Sequence, residues 1–201
     1  MINCRSSLLL LLFSSCCLSS TLSINEIKRL DKGEVITTLE KIPGTKYDKA
    51  TSIGTVDASP QKVYDILIDF ESYESFIPKV KESSVLKKED QVVYYKSHVN
   101  MPWPISDIFY NCKATLHPEN YSIDFELVPG TGIGVKSFEG SWHFEAYKSN
   151  PKITLARYIL HYEPETNYPA WAVRIGSKAT IGKNIIAVRQ RVKELENLAS
   201  K

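Results

Sequence analysis

The sequence predicts an α+β fold: a curved antiparallel sheet around a long C-terminal helix, with two short helices between the early strands. Three observations predict it. Residues 54–78 read as the end of a strand, a capped helix and a second short aromatic helix. Between residues 79 and 163 apolar and polar residues alternate with a period of two, segment after segment. After Pro169 the period changes to that of a helix and stays so nearly to the end of the chain. A bent sheet with one apolar face needs a cover, and the chain supplies one long amphipathic helix to provide it.

The chain has 201 residues, 43% of them hydrophobic, enough for one globular domain with a core. A net charge of +2 gives no reason to expect a nucleic-acid partner. Residues 1–23 are set apart as a signal peptide: Arg5 is followed by the apolar run 8–13 and then by small residues. The run is too short to span a bilayer. Two processing routes are open. Phe-Ser-Ser-Cys at 13–16 resembles a bacterial lipobox with Cys16 lipidated, although Phe13 stands where Leu is usual. Alternatively, cleavage follows Ser20 or Ser23. Either route predicts export, to a periplasm or as a membrane-anchored lipoprotein if the source is bacterial. Cys112 is the one cysteine of the region expected to fold, so no internal disulfide is expected.

Residues 24–32 form a linker or short helix, and the ligand-binding domain is expected over 33–199. Residues 34–42 are β-branched and roughly alternating, Pro43-Gly44 turns the chain, and 49–56 return as a second strand. Ser59 is an N-cap with Pro60 at the first helical position, and Val63, Ile66, Leu67 and Phe70 fall on one face. Residues 71–76 form the second short helix, with Tyr73 and Phe76 facing the same way, and Pro78 ends it. Strands follow at 79–86 and 91–99, then the stiff loop Met101-Pro102-Trp103-Pro104. The strand 107–117 puts Ile108, Tyr110, Cys112, Ala114 and Leu116 on one face, and 121–127 repeats the pattern with Ile123 and Phe125 inward. After a glycine-rich turn at 129–134, the strand 136–147 turns Phe138, Gly140, Trp142, Phe144 and Ala146 inward. Asn150-Pro151 is read as the turn into the last strand, 153–163, which turns Ala156, Tyr158, Leu160 and Tyr162 the same way.

The C-terminal helix runs to about Leu198. Its expected apolar stripe is Trp171, Ile175, Ala179, Gly182, Ile186, Val192 and Leu195. Some 30 helical residues span roughly 45 Å, enough to cross a whole sheet. Gly176 and Gly182 each cost about 1 kcal/mol in a helix interior, so a close contact or ligand space is expected at both.

Three pieces in this order and spacing carry a resemblance. They are 54–78, Pro-Trp-Pro-Ile-Ser-Asp at 102–107, and Gly-Ser-Trp-His-Phe-Glu at 140–145 followed by Thr-Leu-Ala-Arg-Tyr at 154–158 and Pro-Ala-Trp at 169–171. The chain resembles the START / polyketide cyclase-like superfamily, near the coenzyme Q-binding START proteins. That resemblance implies a helix-grip fold with an elongated apolar cavity between the sheet and the C-terminal helix. Relatives often carry Arg directly after the Asp of the tryptophan loop. Ile108 stands there in this chain, so that polar ligand contact is missing.

The inward aromatics are the leading site candidates. A dry core prefers Leu and Phe, because each buried tyrosine hydroxyl needs a partner, so inward tyrosines point to a cavity holding water or an amphiphile. The predicted ligand-binding set is Tyr95, Tyr110, Cys112, Phe125, Phe138, Trp142, Phe144, Tyr158 and Leu160 on the sheet, Trp103 at the mouth, and Trp171 and Ile175 on the helix. Tyr73 and Phe76 are placed at the same opening. The four histidines, His98, His117, His143 and His161, show no metal-ligand spacing, although His143 and His161 are expected to face each other on adjacent strands. No cofactor, catalytic residue or metal is expected. The expected partner is a hydrophobic small molecule or lipid, with membrane association through a lipid anchor. An enzyme of the cyclase or dehydratase type is the alternative and needs an acid or base inside the cavity. A protein-interaction module is the third reading and needs a large apolar patch on the outer sheet face.

Overall fold

The computed structural model describes residues 22–101 and 106–200. The signal peptide core, the lipobox with Cys16, and Trp103 lie outside the described residues. The elements run α1 (Ile24–Asp31), β1 (Ile36–Lys41), β2 (Asp48–Val56), α2 (Pro60–Leu67), a 3₁₀ turn (Phe70–Ser72), α3 (Tyr73–Phe76), β3 (Val80–Glu89), β4 (Val92–Val99), β5 (Ile108–His117), β6 (Ser122–Leu127), β7 (Val135–Tyr147), β8 (Asn150–Pro164) and α4 (Ala170–Ala199). The eight strands form one antiparallel sheet in the order β1-β2-β8-β7-β6-β5-β4-β3. Curved around α4 and with α2 and α3 between β2 and β3, this is the helix-grip architecture.

Local chemistry sets the ends of these elements. Ser59 caps α2 by accepting from the Lys62 N–H at 3.3 Å, with Pro60 in the first turn. Thr154, fully buried on β8, donates to the Ala58 carbonyl at 2.6 Å and fixes the β2–α2 corner to the sheet. The β7–β8 turn is Lys148-Ser149, two positions earlier than expected, with φ +52° and +60°. Neither residue is the glycine or asparagine that such a turn favours, so the alternation placed it late. The hairpin bulges between Ala146 and Tyr147, which leaves Ala146 exposed and turns Tyr147 into the core instead.

The sheet has apolar covers on both sides. Its inner face packs on α2, α3 and α4 around Val63, Leu67, Phe70, Cys112, Ala114, Phe144, Ile185 and Val188. Over the outer face of β1, β2 and β8, α1 seats Leu30 with Ile36, Ile53, Tyr147 and Leu155. A capping box between Ser23 and Glu26 opens α1, and Asp31 accepts from Tyr147 Oη at 2.9 Å and Lys148 Nζ at 2.7 Å. Ser23, placed by the sequence at the end of the leader, is thus the cap of the first helix.

The stripe expected on α4 is right at Gly182, Val192 and Leu195 and wrong at Trp171, Ile175, Ala179 and Ile186. Trp171 is 68% exposed, Ile175 63% and Ile186 43%, whereas Ile181, Ile185 and Val188, left out of that stripe, are buried. The sheet makes the choice: a Cβ on Gly54 of β2 would stand 2.9 Å from Ile185 Cγ2, so the missing side chain is the seat for Ile185. Arg189 then donates to the carbonyls of Thr55 at 2.6 Å and Gly33 at 2.8 Å, which fixes the rotation. Gly182 is where close contact was expected, 3.1 Å from Val35 and 3.2 Å from Thr37 if given a Cβ. Gly176 has open space around it and no such reason. His143 pairs with Arg157 and His161 with Glu139, so the two histidines do not face each other.

Candidate functional site: an aromatic cavity under the sheet

The alternation of β4 to β8 brings one set of side chains to the inner face, and the helices do not fill the space they leave. The result is a cavity of about 210 Å³. Its floor is Trp142, Tyr158, Phe125 and Ile123, and its sides include Tyr95, Tyr110, Phe138, Leu160 and Tyr162. Phe70, Tyr73, Ile77 and Pro78 close it from the α3 side, and Asn184 is the contribution of α4. Ile123 and Trp142 of the floor are buried, and Phe125, Tyr158, Ile77, Pro78, Val80 and Val99 are half-buried.

The aromatic walls are mutually packed. Trp142 stacks on Tyr158 with centroids 4.2 Å apart, Phe70 on Tyr95 at 4.5 Å, and Tyr110 meets Phe138 edge-on at 4.6 Å. Two of the five tyrosine hydroxyls are spent on backbone carbonyls. Tyr73 donates to the Leu67 carbonyl at 2.7 Å and Tyr162 to the Gly134 carbonyl at 3.3 Å. Tyr110 is the cross-strand partner of Ser97, and Tyr95 that of Cys112, with no hydrogen bond from either hydroxyl among the described residues. Tyr158 likewise makes no hydrogen bond among the described residues.

Burial sets the electrostatics. Desolvation pushes the hydroxyls of Tyr73, Tyr95, Tyr110 and Tyr158 above the ordinary tyrosine range, Tyr162 up to about 12, and the Cys112 thiol up to about 12. All stay protonated at neutral pH. No Asp, Glu, Lys, Arg or His lines the cavity among the described residues. No group of metal-ligating side chains occurs among them either.

The expected site residues divide accordingly. Tyr95, Tyr110, Phe125, Phe138, Trp142, Tyr158 and Leu160 line the cavity. Cys112 is fully buried beside its cross-strand partner Tyr95, and Phe144 is 2% exposed beside Trp142, with its ring centroid 5.7 Å from the indole; both are core and neither is among the cavity lining. Trp171 and Ile175 are on the solvent side of α4 and do not reach it. Tyr73 lies inside the cavity rather than at its rim. Ile108 turns an apolar side chain into the cavity. Asn184 was missed. The signal for it was present, because it falls in helical phase with Ile181, Ile185 and Val188, a polar residue on the buried stripe.

The β4–β5 connection beside the mouth is held by Asp107. Its carboxylate accepts from the Met101 N–H at 3.0 Å, from His98 Nε2 at 2.7 Å and from the Asn100 amide at 3.0 Å, with Lys81 Nζ 3.5 Å away. These contacts, the Met101 N–H first, hold the carboxyl well below the usual range. A depressed folded pKa stabilises the fold above the unfolded value of about 4, and that stability is lost as pH falls below it. Urea midpoints of the wild type are therefore expected to drop between about pH 5 and 3 more steeply than those of Asp107→Asn. Parallel pH profiles would show that Asp107 does not hold this connection.

The chain was compared with known proteins. The family described as polyketide cyclase / dehydrase and lipid transport matches residues 56–189. No curated protein matches the chain in sequence. Among solved structures, the STAR-related lipid transfer protein of Xanthomonas axonopodis is similar with a TM-score of 0.68 at 17% identity, over 79% of this chain and 93% of that one. The Zhui aromatase/cyclase of Streptomyces sp. R1128 is similar with a TM-score of 0.60 at 14% identity, over 84% of this chain and 97% of that one. A START superfamily protein of Mycobacterium smegmatis has a TM-score of 0.62 at 20% identity, over 73% of this chain and 98% of that one. At these identities the likeness is one of fold. The family match reaches from the end of β2 into α4 and takes in every strand that lines the cavity, so the chain belongs to the polyketide cyclase / dehydrase and lipid transport family.

Proposed function

We propose that this protein binds a hydrophobic ligand, a lipid, isoprenoid or quinone-like molecule, in the cavity between sheet and α4, and holds or carries it without transforming it. The observation that carries the reading is the wall itself: aromatic and aliphatic on all sides, with neutral hydroxyls and one amide as its polar groups. Affinity in such a site comes from buried apolar area, at about 25 cal/mol per Å² before the costs of association. A cyclase or dehydratase needs a proton acceptor beside the substrate. The protonated tyrosines can donate a hydrogen bond but are poor bases at neutral pH, and the thiol of Cys112 is not a thiolate. The tyrosine-rich wall is nonetheless what a cyclase would use as donors, so that reading stands second.

We further propose that the protein is exported, with its mature chain beginning at lipidated Cys16 or after Ser20. Cleavage after Ser23 is disfavoured because Ser23 caps α1. One experiment tests both proposals: native mass spectrometry of the protein purified from its own host, followed by organic extraction. The expected result is a discrete added mass that extracts as a lipid or quinone, on a chain starting at residue 16 or 21. An empty protein that also takes up no hydrophobic probe would defeat the binder reading. A full-length chain, or one starting at residue 24, would defeat the processing reading.

A further inference from the structure

Resting on the reading of the cavity as a ligand site, we propose that Asn184 and Tyr158 select the ligand by its one polar group. The ligand they select is a compact, flat, uncharged molecule of one or two rings bearing a carbonyl or hydroxyl, not a lipid with a charged headgroup.

Asn184 is the residue of α4 that lines the cavity. It stands on the stripe of Ile181, Ile185 and Val188, where the rest of the helix face is apolar and buried. It is half-buried, and its amide makes no hydrogen bond among the described residues. An amide offers two donors and an acceptor, and in an apolar wall those need a partner from the cavity contents. Tyr158 is a matching case on the sheet. Its hydroxyl is unpartnered among the described residues, while those of Tyr73 and Tyr162 are spent on backbone carbonyls. These two groups belong to the two layers that enclose the cavity: Tyr158 pairs across β8–β2 with Ser52, and α4 crosses β2 beside Ser52 at Gly182, two residues before Asn184. Together they present donors and acceptors without charge, because the Tyr158 hydroxyl stays protonated.

Size and charge set the class. An apolar cavity of about 150 Å³ in another protein takes up one benzene ring. The 210 Å³ present here therefore suits one or two fused rings and is too small for a diacyl lipid. A carboxylate, phosphate or ammonium inside it would meet no opposite charge, and an unpaired buried charge is strongly disfavoured. The stacked pair Trp142–Tyr158, 17° from parallel, presents a flat floor to a planar ring.

Calorimetric titration with naphthalene, 2-naphthol and 2-naphthoate tests this, on the wild type, Asn184→Leu and Tyr158→Phe. Thermal melting of each variant checks that it is folded. Wild type is expected to bind 2-naphthol at least about tenfold more tightly than either naphthalene or 2-naphthoate. Asn184→Leu should remove most of the naphthol preference over naphthalene, and Tyr158→Phe, which loses a single oxygen, part of it. Equal affinity for naphthol and naphthalene, or a preference that survives in both variants, overturns the proposal. Stoichiometric uptake of phosphatidylcholine from vesicles without any binding of naphthol also overturns it, and leaves the binder reading in place. Failure of every probe, apolar, polar and lipid, defeats both.

Discussion

Replacing Gly140 with valine is expected to destabilise the fold by about 4 kcal/mol or more, a large part of the 5–15 kcal/mol typical of a domain. By propensity the change should help, since β-branched residues favour strands and glycine weakens them. Packing reverses the sign. A Cβ at Gly140 would stand 2.1 Å from the backbone oxygen of Ile159 and 2.6 Å from the ring of Phe125. The ring could turn aside, but the carbonyl belongs to β8, which pairs with β7 along nearly its whole length. Relief therefore means spreading two neighbouring interior strands of the sheet. The ring of Phe125 covers the gap the glycine leaves, since the two residues are cross-strand partners. Gly176→Ala is the control: open space surrounds it on an exposed helix, so it should gain up to about 1 kcal/mol. Denaturant midpoints of the two variants measure the contrast. A Gly140→Val protein as stable as wild type would mean that β7 and β8 do not pack as described.

Truncating Trp142 to alanine should cost about 3–5 kcal/mol, and at the same time enlarge the space available to a ligand. Trp142 is 5% exposed and lies between Tyr158, at 4.2 Å, and Phe144, at 5.7 Å. Both neighbours lose a stacking partner, and the void opens into the existing cavity rather than closing over. For a domain of this length that loss lowers the melting temperature by roughly 10 °C. The distinguishing readout is ligand size. A bulkier hydrophobic probe that wild type excludes should be taken up by Trp142→Ala and should restore part of the lost stability through linkage. If the variant is destabilised but no larger probe binds or stabilises it, Trp142 is core and not cavity wall.

Much of the fold was legible because two periods carry it. Alternation in β4 to β8 separates one face from the other, and it placed Tyr95, Tyr110, Phe125, Phe138, Trp142, Tyr158 and Leu160 on the inner face, where the cavity is. The chemistry of Ser59-Pro60 likewise starts α2 where the residues say it must. The same period assigned Cys112 and Phe144 to the site, because alternation gives a face but not a depth. Both point inward, and only the tertiary packing around them makes them core rather than lining residues.

The sequence by itself determined the family fold, the side of the sheet that turns inward and the aromatic, uncharged character of what lies there. Those follow from local spacing and residue type. The tertiary structure decided the rotation of α4, and with it the exclusion of Trp171 and Ile175 and the inclusion of Asn184. A helix with apolar residues on two faces does not specify which one meets the sheet. The choice is made by a contact between residues 54 and 185, more than a hundred positions apart, where the absence of one side chain leaves room for another.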